Sequence, residues 1–171
     1  MTTPPFDAVD ARDIEIVSAQ LGRPARGVIG IAARCVCGAP TVVATAPRLP
    51  DGTPFPTLYY LSHPAATAAL SRLEASGVMA EFTGMLEDDE VLRAAYQRAH
   101  VAYLADRDRV EHVDEIDGFS AGGMPSRVKC LHALAAHSLA AGPGVNPIGD
   151  LALARADWSQ DACECADYPV R

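Results

Sequence analysis

The chain is 171 residues long, 49% hydrophobic and 21% charged, a balance that supports one folded domain with its own core and excludes wholesale disorder. Lys and Arg number 14 against 22 Asp and Glu, a formal net charge of -8. That excludes a broad, sequence-independent grip on nucleic acid, which cations make by neutralising phosphates.

No apolar run reaches the ~20 residues of a membrane-spanning helix, and residues 1–13 carry acids where a secretory leader needs cations and an apolar core. The expected setting is the cytoplasm, away from membrane. Residues 7–21 are predicted as an amphipathic helix, with Val9, Ile14, Ile16, Val17 and Leu21 near helical spacing, Asp7 as N-cap and Gly22 as the stop. Residues 28–33 and 41–45 are β-branched runs joined by Arg34-Cys35-Val36-Cys37-Gly38-Ala39-Pro40, a hairpin with two thiols at its tip. Residues 47–56 carry four prolines and a glycine and must be loop, and residues 57–62 read as a third strand.

Beyond His63-Pro64 the apolar residues recur at threes and fours, predicting helices over 64–76, 78–86 and 88–112. Residues 114–123 are a polar, glycine-rich loop. Pro125 suits the first turn of a helix running to about 141, and Asn146-Pro147 starts a short one to about 156. The tail has no period. The expected class is α+β: a small three-stranded antiparallel sheet with a Cys-x-Cys hairpin, packed on a mainly helical domain. Within one domain, 1–24 is the N-terminal helix and loop, 25–62 the sheet, 63–156 the helical part and 157–171 the Cys-containing tail.

Four of the five cysteines form Cys-x-Cys pairs, Cys35/Cys37 and Cys163/Cys165. Such a pair resists closing on itself because the ring is strained. In a reducing compartment clustered thiols point first to metal and second to redox chemistry. Zinc wants four ligands and an iron–sulfur cluster about four thiolates. Cys35 and Cys37 supply two; Cys130 with Cys163 or Cys165 supplies the rest, with His132 and His137 as alternative ligands or as neighbours orienting them. The expected cofactor is zinc, the alternative an iron–sulfur cluster. Against this, a free Cys is often a small buried hydrophobe. On a helix begun at Pro125, Cys130 and His132 are rotated about 200° apart, so Cys130 is assigned to the hairpin thiols and His132 turns away.

A second candidate is Ser120-Ala121-Gly122-Gly123-Met124-Pro125 at the expected helix start. Ser120, Gly122 and Gly123 with Arg127 and Lys129 could hold a small anion such as a phosphate or carboxylate, although the spacing is not that of a Walker loop. A third group, Arg48, Asp51, Tyr59, Asn146 and Asp150, stands on or beside rigid loops that could line a pocket. A nucleophilic Cys130 paired with His137 or His63 is a further alternative.

Taken together, the motifs Arg-Cys-x-Cys-Gly, Pro-Arg-Leu-Pro-Asp-Gly-Thr-Pro-Phe-Pro-Thr-Leu-Tyr-Tyr-Leu, Ser-Ala-Gly-Gly-Met-Pro-x-Arg-Val-Lys-Cys-Leu-His-x-Leu-x-x-His and Gly-Pro-Gly-Val-Asn-Pro-x-Gly-Asp resemble the actinobacterial domain-of-unknown-function family number five hundred and one. The resemblance runs from about residue 10 to 154. It implies a single-domain cytoplasmic bacterial protein without an established activity, and its motifs include the positions of Cys35, Cys37, Cys130, His132 and His137, implying that these form one site. Two function classes follow: a ligand-binding or regulatory module with a structural metal, or a metal- or thiol-dependent enzyme acting on a phosphorylated or carboxylate small molecule. No protein partner is indicated.

Overall fold

A computed structural model describes residues 5–165. Its first contact is between strands rather than in a helix: Asp7 and Ile31 exchange backbone hydrogen bonds of 2.9 Å in both directions. Asp7 is therefore not the helix cap expected from the sequence. Helix α1 (Ala11–Leu21) is capped by Asp10, whose carboxylate accepts from the Asp13 amide at 2.7 Å while the Asp13 carboxylate accepts from the Asp10 amide at 3.3 Å. This reciprocal box satisfies two amides that the first turn leaves open.

The sheet is β1 (Val28–Arg34), β2 (Pro40–Thr45) and β3 (Tyr59–Leu61), antiparallel in the order β1-β2-β3. The class is α+β, as expected. Alternation along β2 decides which face meets which layer. Val43, opposite Ile31 and Tyr60, packs with Val17 of α1; Val42, opposite Ala33 and Leu61, enters the main core. The proline-rich loop between β2 and β3 is bound at its end, where the Thr45 amide donates to the Leu58 carbonyl at 2.7 Å.

Of the helices α2 (Pro64–Ala75), α3 (Val78–Asp88), α4 (Glu90–Val110), α5 (Leu131–Ala141) and α6 (Pro147–Arg155), α5 packs on the inner face of the sheet and the others pack around α5 and one another. Leu131, Leu134, Ala135, Ala136 and His137 of α5 are all buried, so this helix has almost no polar face and runs through the core against β3, α2 and α6. Tyr59, Phe82, Tyr96 and Tyr103 fill the space around it. Among the described residues no helix is long and apolar enough to cross a membrane.

α5 begins six residues later than Pro125 suggested. Residues 122–130 close on themselves instead: the Gly122 carbonyl accepts from the Lys129 amide at 2.7 Å and from the Cys130 amide at 3.3 Å. The glycines are required by packing, since a Cβ on Gly122 (φ 69) would come 2.5 Å from Leu134 and one on Gly123 (φ 95) 2.6 Å from the Arg127 carbonyl. Arg107, buried on α4, ties this region together by donating to the carbonyls of Pro56, Ile116 and Phe119.

Candidate metal centre

The sulfurs of Cys35, Cys37, Cys163 and Cys165 all lie within 4.8 Å of one another. Two segments meet to make this group. The hairpin tip folds as a tight turn, with the Gly38 amide donating to the Cys35 carbonyl at 2.8 Å and Gly38 in the left-handed region at φ 89. The tail then returns over the tip: the Val36 amide donates to the Gln160 carbonyl at 3.3 Å, and Trp158 packs on His63 with ring centroids 5.4 Å apart.

No disulfide joins these thiols, and Cys37 Sγ is 3.4 Å from Cys165 Sγ. Four thiolates at about 2.3 Å from a tetrahedral zinc stand roughly 3.8 Å apart, so the sulfur spacing fits one ion. The turn also aims backbone amides at sulfur: Cys37 N–H at Cys35 and Ala39 N–H at Cys37. The Ala39 amide first, and the neighbouring thiols after it, draw the Cys37 thiol down to about 7, whereas burial pushes the Cys35 and Cys165 thiols up. Metal binding needs all four deprotonated, and the charge of an ion would supply what burial withholds. Four cysteines around one ion would leave no open position, the pattern of a structural rather than a catalytic site.

His63 completes the surroundings. It is fully buried and is the N-cap of α2, its Nδ1 accepting from the Ala66 amide at 3.4 Å. That leaves Nε2 as the N–H, 3.2 Å from Cys165 Sγ, where it orients the sulfur. Burial holds this imidazole neutral by lowering its pKa. Sequence reasoning named His63 only as a possible partner of Cys130; its His-Pro position at a helix start was the available signal for a cap.

Cys130 does not join the hairpin thiols. It groups instead with Glu74 and His132, their ligand atoms within 4.8 Å of one another. This corrects the assignment of Cys130 to the hairpin and the separation of Cys130 from His132. The 200° argument holds only for two residues inside a helix. Cys130 is the N-cap of α5 in extended conformation, φ -147 and ψ 109, so its side chain can lie beside His132.

His132 Nδ1 is 3.1 Å from Glu74 Oε1, and Nε2 is 3.1 Å from both the Thr67 carbonyl and Ser71 Oγ. A carboxylate and a carbonyl only accept, so both ring nitrogens carry hydrogen and the ring is an imidazolium. Cys130 first, and Glu74 after it, lift the His132 pKa to about 9 against burial. In return, burial raises the Cys130 thiol, but His132 and the Ala133 amide outweigh it and leave the thiol lowered. With both ring nitrogens donating, His132 has no lone pair for a metal. Glu74 was not found from the sequence, although Thr67, Ser71 and Glu74 recur at i, i+4 and i+7 as a polar stripe on an Ala- and Leu-rich helix.

The loop before α5 walls an open cleft of ≈ 620 Å³ lined by Ser120, Gly122, Gly123, Arg127, Lys129 and Cys130. The five residues named as an anion site thus share one cavity, but the glycine pair is not at a helix N-terminus. The Leu131 amide of the first turn of α5 already donates to Glu74 at 2.7 Å. Ser120 Oγ is 2.8 Å from His100 Nδ1.

The third candidate group does not converge. Arg48 pairs with Glu115 at 2.8 Å, tying the proline-rich loop to the segment after α4, and Asp51 accepts from the Thr53 amide at 3.0 Å within the loop. Tyr59 donates to Asp106 at 2.8 Å, Asn146 caps α6 through the Gly149 amide at 3.0 Å, and Asp150 accepts from the Gly144 amide at 2.7 Å. His137 belongs to neither cysteine group. It stacks on Tyr59 at 5.8 Å, meets Tyr103 edge-on at 5.1 Å and accepts from Asn146 at 3.2 Å. Burial drives its pKa down to about 4, so it is a neutral core residue.

The model of the family described as Protein of unknown function (DUF501) matches residues 31–154, a span that holds Cys35, Cys37, Glu74, Cys130 and His132 and stops short of Cys163 and Cys165. No curated protein and no solved structure matches the chain significantly.

Proposed function

We propose a function for this chain, which belongs to the DUF501 family, from its geometry: Cys35, Cys37, Cys163 and Cys165 bind one zinc ion that pins the tail onto the hairpin tip. The observation that carries this reading is the convergence of four unbonded sulfurs from two distant segments to within 4.8 Å. An iron–sulfur cluster is the alternative cofactor. The close spacing favours a single ion, because an inorganic core would hold the four sulfurs further apart.

With its metal structural, the protein is a small-ligand-binding or regulatory module of the actinobacterial cytoplasm, where thiols stay reduced. The cleft beside Arg127 and Lys129 takes the small anionic ligand, a phosphate or a carboxylate. Metal analysis of protein purified anaerobically tests the centre. About one zinc per chain in a colourless solution is the expected result, visible absorption would move the assignment to a cluster, and metal-free protein of full stability would overturn it. The enzymatic reading is favoured by a different observation, the Cys130–His132 pair at the edge of the cleft.

A further inference from the structure

Cys130 is the one cysteine outside the thiol cluster, and its neighbours are chemically unlike those of the other four. It lines the cleft with Arg127 and Lys129. Behind it lies an imidazolium whose nitrogens are fixed by Glu74 and the Thr67 carbonyl and which also turns an N–H toward the Cys130 sulfur, and Glu74 is itself held by the Leu131 amide. A thiol beside an imidazolium is an activated nucleophile, since the thiolate is the reactive form. Arg127 and Lys129 are exposed and form no ion pair among the described residues, so their charge is available to the cleft.

We propose that Cys130 is the nucleophile of an acyl-transfer site, with His132 as its proton donor and acceptor, and that Arg127 and Lys129 hold the anionic end of the acyl substrate. This does not rest on the metal centre. Acyl transfer is favoured over phosphoryl transfer by the donors present. A phosphoryl group in transit spreads charge over three oxygens; the Leu131 and Ala133 amides of α5, which could have met it, face Glu74 and the Cys130 sulfur. An acyl group develops charge on one oxygen.

The Cys130 thiolate adds to the carbonyl carbon of an ester or thioester. The bond from that carbon to the leaving oxygen or sulfur breaks, and the leaving group, held at the Cys130 sulfur, takes the ring proton that His132 directs at that sulfur. Water then adds to the Cys130 thioester and gives its proton to the neutral His132. The carboxylic acid departs and the thiolate–imidazolium pair is restored. Ester and water become acid and alcohol. Cys130 and His132 are catalytic residues; Glu74 is a positioning residue that keeps His132 charged and oriented.

The metal-loaded protein is mixed with an anionic ester, mono-4-nitrophenyl succinate, and a neutral one, 4-nitrophenyl acetate. The expected result is a burst of one 4-nitrophenolate per chain, a succinyl adduct on the Cys130 peptide, and a burst about tenfold faster with the anionic ester. That preference disappears in the Arg127→Ala, Lys129→Ala double variant. Cys130→Ser gives no burst and keeps its metal.

Glu74→Gln tests positioning through the pH profile of Cys130 alkylation by iodoacetamide. Glu74 from α2, His132 from α5 and, from the loop that walls the cleft, Arg127 and Lys129 are the charged groups set around this thiol. In the variant the rise in rate is expected to move toward that of an ordinary thiol, and an unmoved profile would remove Glu74 from the site. Acylation of the four clustered cysteines in place of Cys130, or an equal burst in Cys130→Ser, overturns the proposal. So does the absence of a burst with both esters, or a second metal equivalent that protects Cys130. Equal rates for the two esters overturn the anionic end.

Discussion

The five cysteines occupy two environments that differ in what can neutralise a thiolate. At the hairpin tip four sulfurs face one another and backbone amides, with a neutral imidazole behind Cys165. Arg34, next in the chain to Cys35, spends its guanidinium on Asp13 at 2.7 and 2.9 Å and on the Gly38 carbonyl at 3.0 Å. At the start of α5 a single sulfur sits beside an imidazolium that the fold itself charges. The first group therefore calls for a cation from outside, and the second carries its own. A thiol's role is set by its countercharge rather than by its motif.

Serine substitutions test this division most severely. Cys37→Ser or Cys163→Ser is expected to lose the metal and to release the tail, because among the described residues the tail is held by Trp158, one backbone hydrogen bond and the sulfurs. Structural zinc in small domains is worth on the order of 10 kcal/mol at neutral pH. Metal analysis, limited proteolysis after residue 156 and Trp158 fluorescence report the loss. Cys130→Ser is expected to keep its metal and its tail protected. If Cys130→Ser also loses metal, the two environments are one site and the division fails.

A smaller effect is expected from Asp13→Asn. Asp13 is 6% exposed and makes a forked pair with Arg34, which in turn reaches the carbonyl of Gly38 in the thiol turn. Losing the charge should cost about 2 kcal/mol in urea unfolding. Metal stoichiometry should stay at one, since the amides that face the sulfurs belong to the turn itself. Loss of metal in this variant would show that α1, not the turn, sets the thiol geometry.

Much of this architecture was legible in the chain. The β-branched runs, the proline-rich loop and the threes and fours of apolar residues give the sheet and most helices, and the Cys-x-Cys pairs point to one thiol group, although from the sequence alone Cys130 is expected in it in place of a second tail thiol. The α5 start was not legible. Pro125 carries a strong local signal for a first turn, but the Gly122 carbonyl captures the amides of Lys129 and Cys130 and the glycines fit only against Leu134 and Arg127. That single displacement reversed the relation of Cys130 to His132. The capping box Asp10-x-x-Asp13 is readable in the sequence, whereas Asp7, the expected cap, is claimed by the sheet. Glu74 lies 56 positions before Cys130, and only packing of α2 on α5 brings them together.

The smallest expected effect distinguishes the two environments by the sign of their pH dependence. His132 has its folded pKa raised to about 9, by Cys130 first and Glu74 after it, from an unfolded value near 6.5. A raised base contributes stability that is fully present below about pH 6.5 and is lost as pH climbs through about 9. The unscreened shift corresponds to roughly 3 kcal/mol, but the ring is only half-buried, so about 1–2 kcal/mol is expected. Thiolate ligands behave oppositely, because they must shed protons before they bind, and metal occupancy strengthens as pH rises. Urea unfolding of the metal-loaded parent and of His132→Gln at pH 6 and pH 9.5 separates the two. The parent's advantage over the variant should shrink by that 1–2 kcal/mol at the higher pH while both chains keep their metal. A constant advantage would mean that His132 stabilises α5 by packing alone, and the charge assigned to the Cys130 environment would go with it.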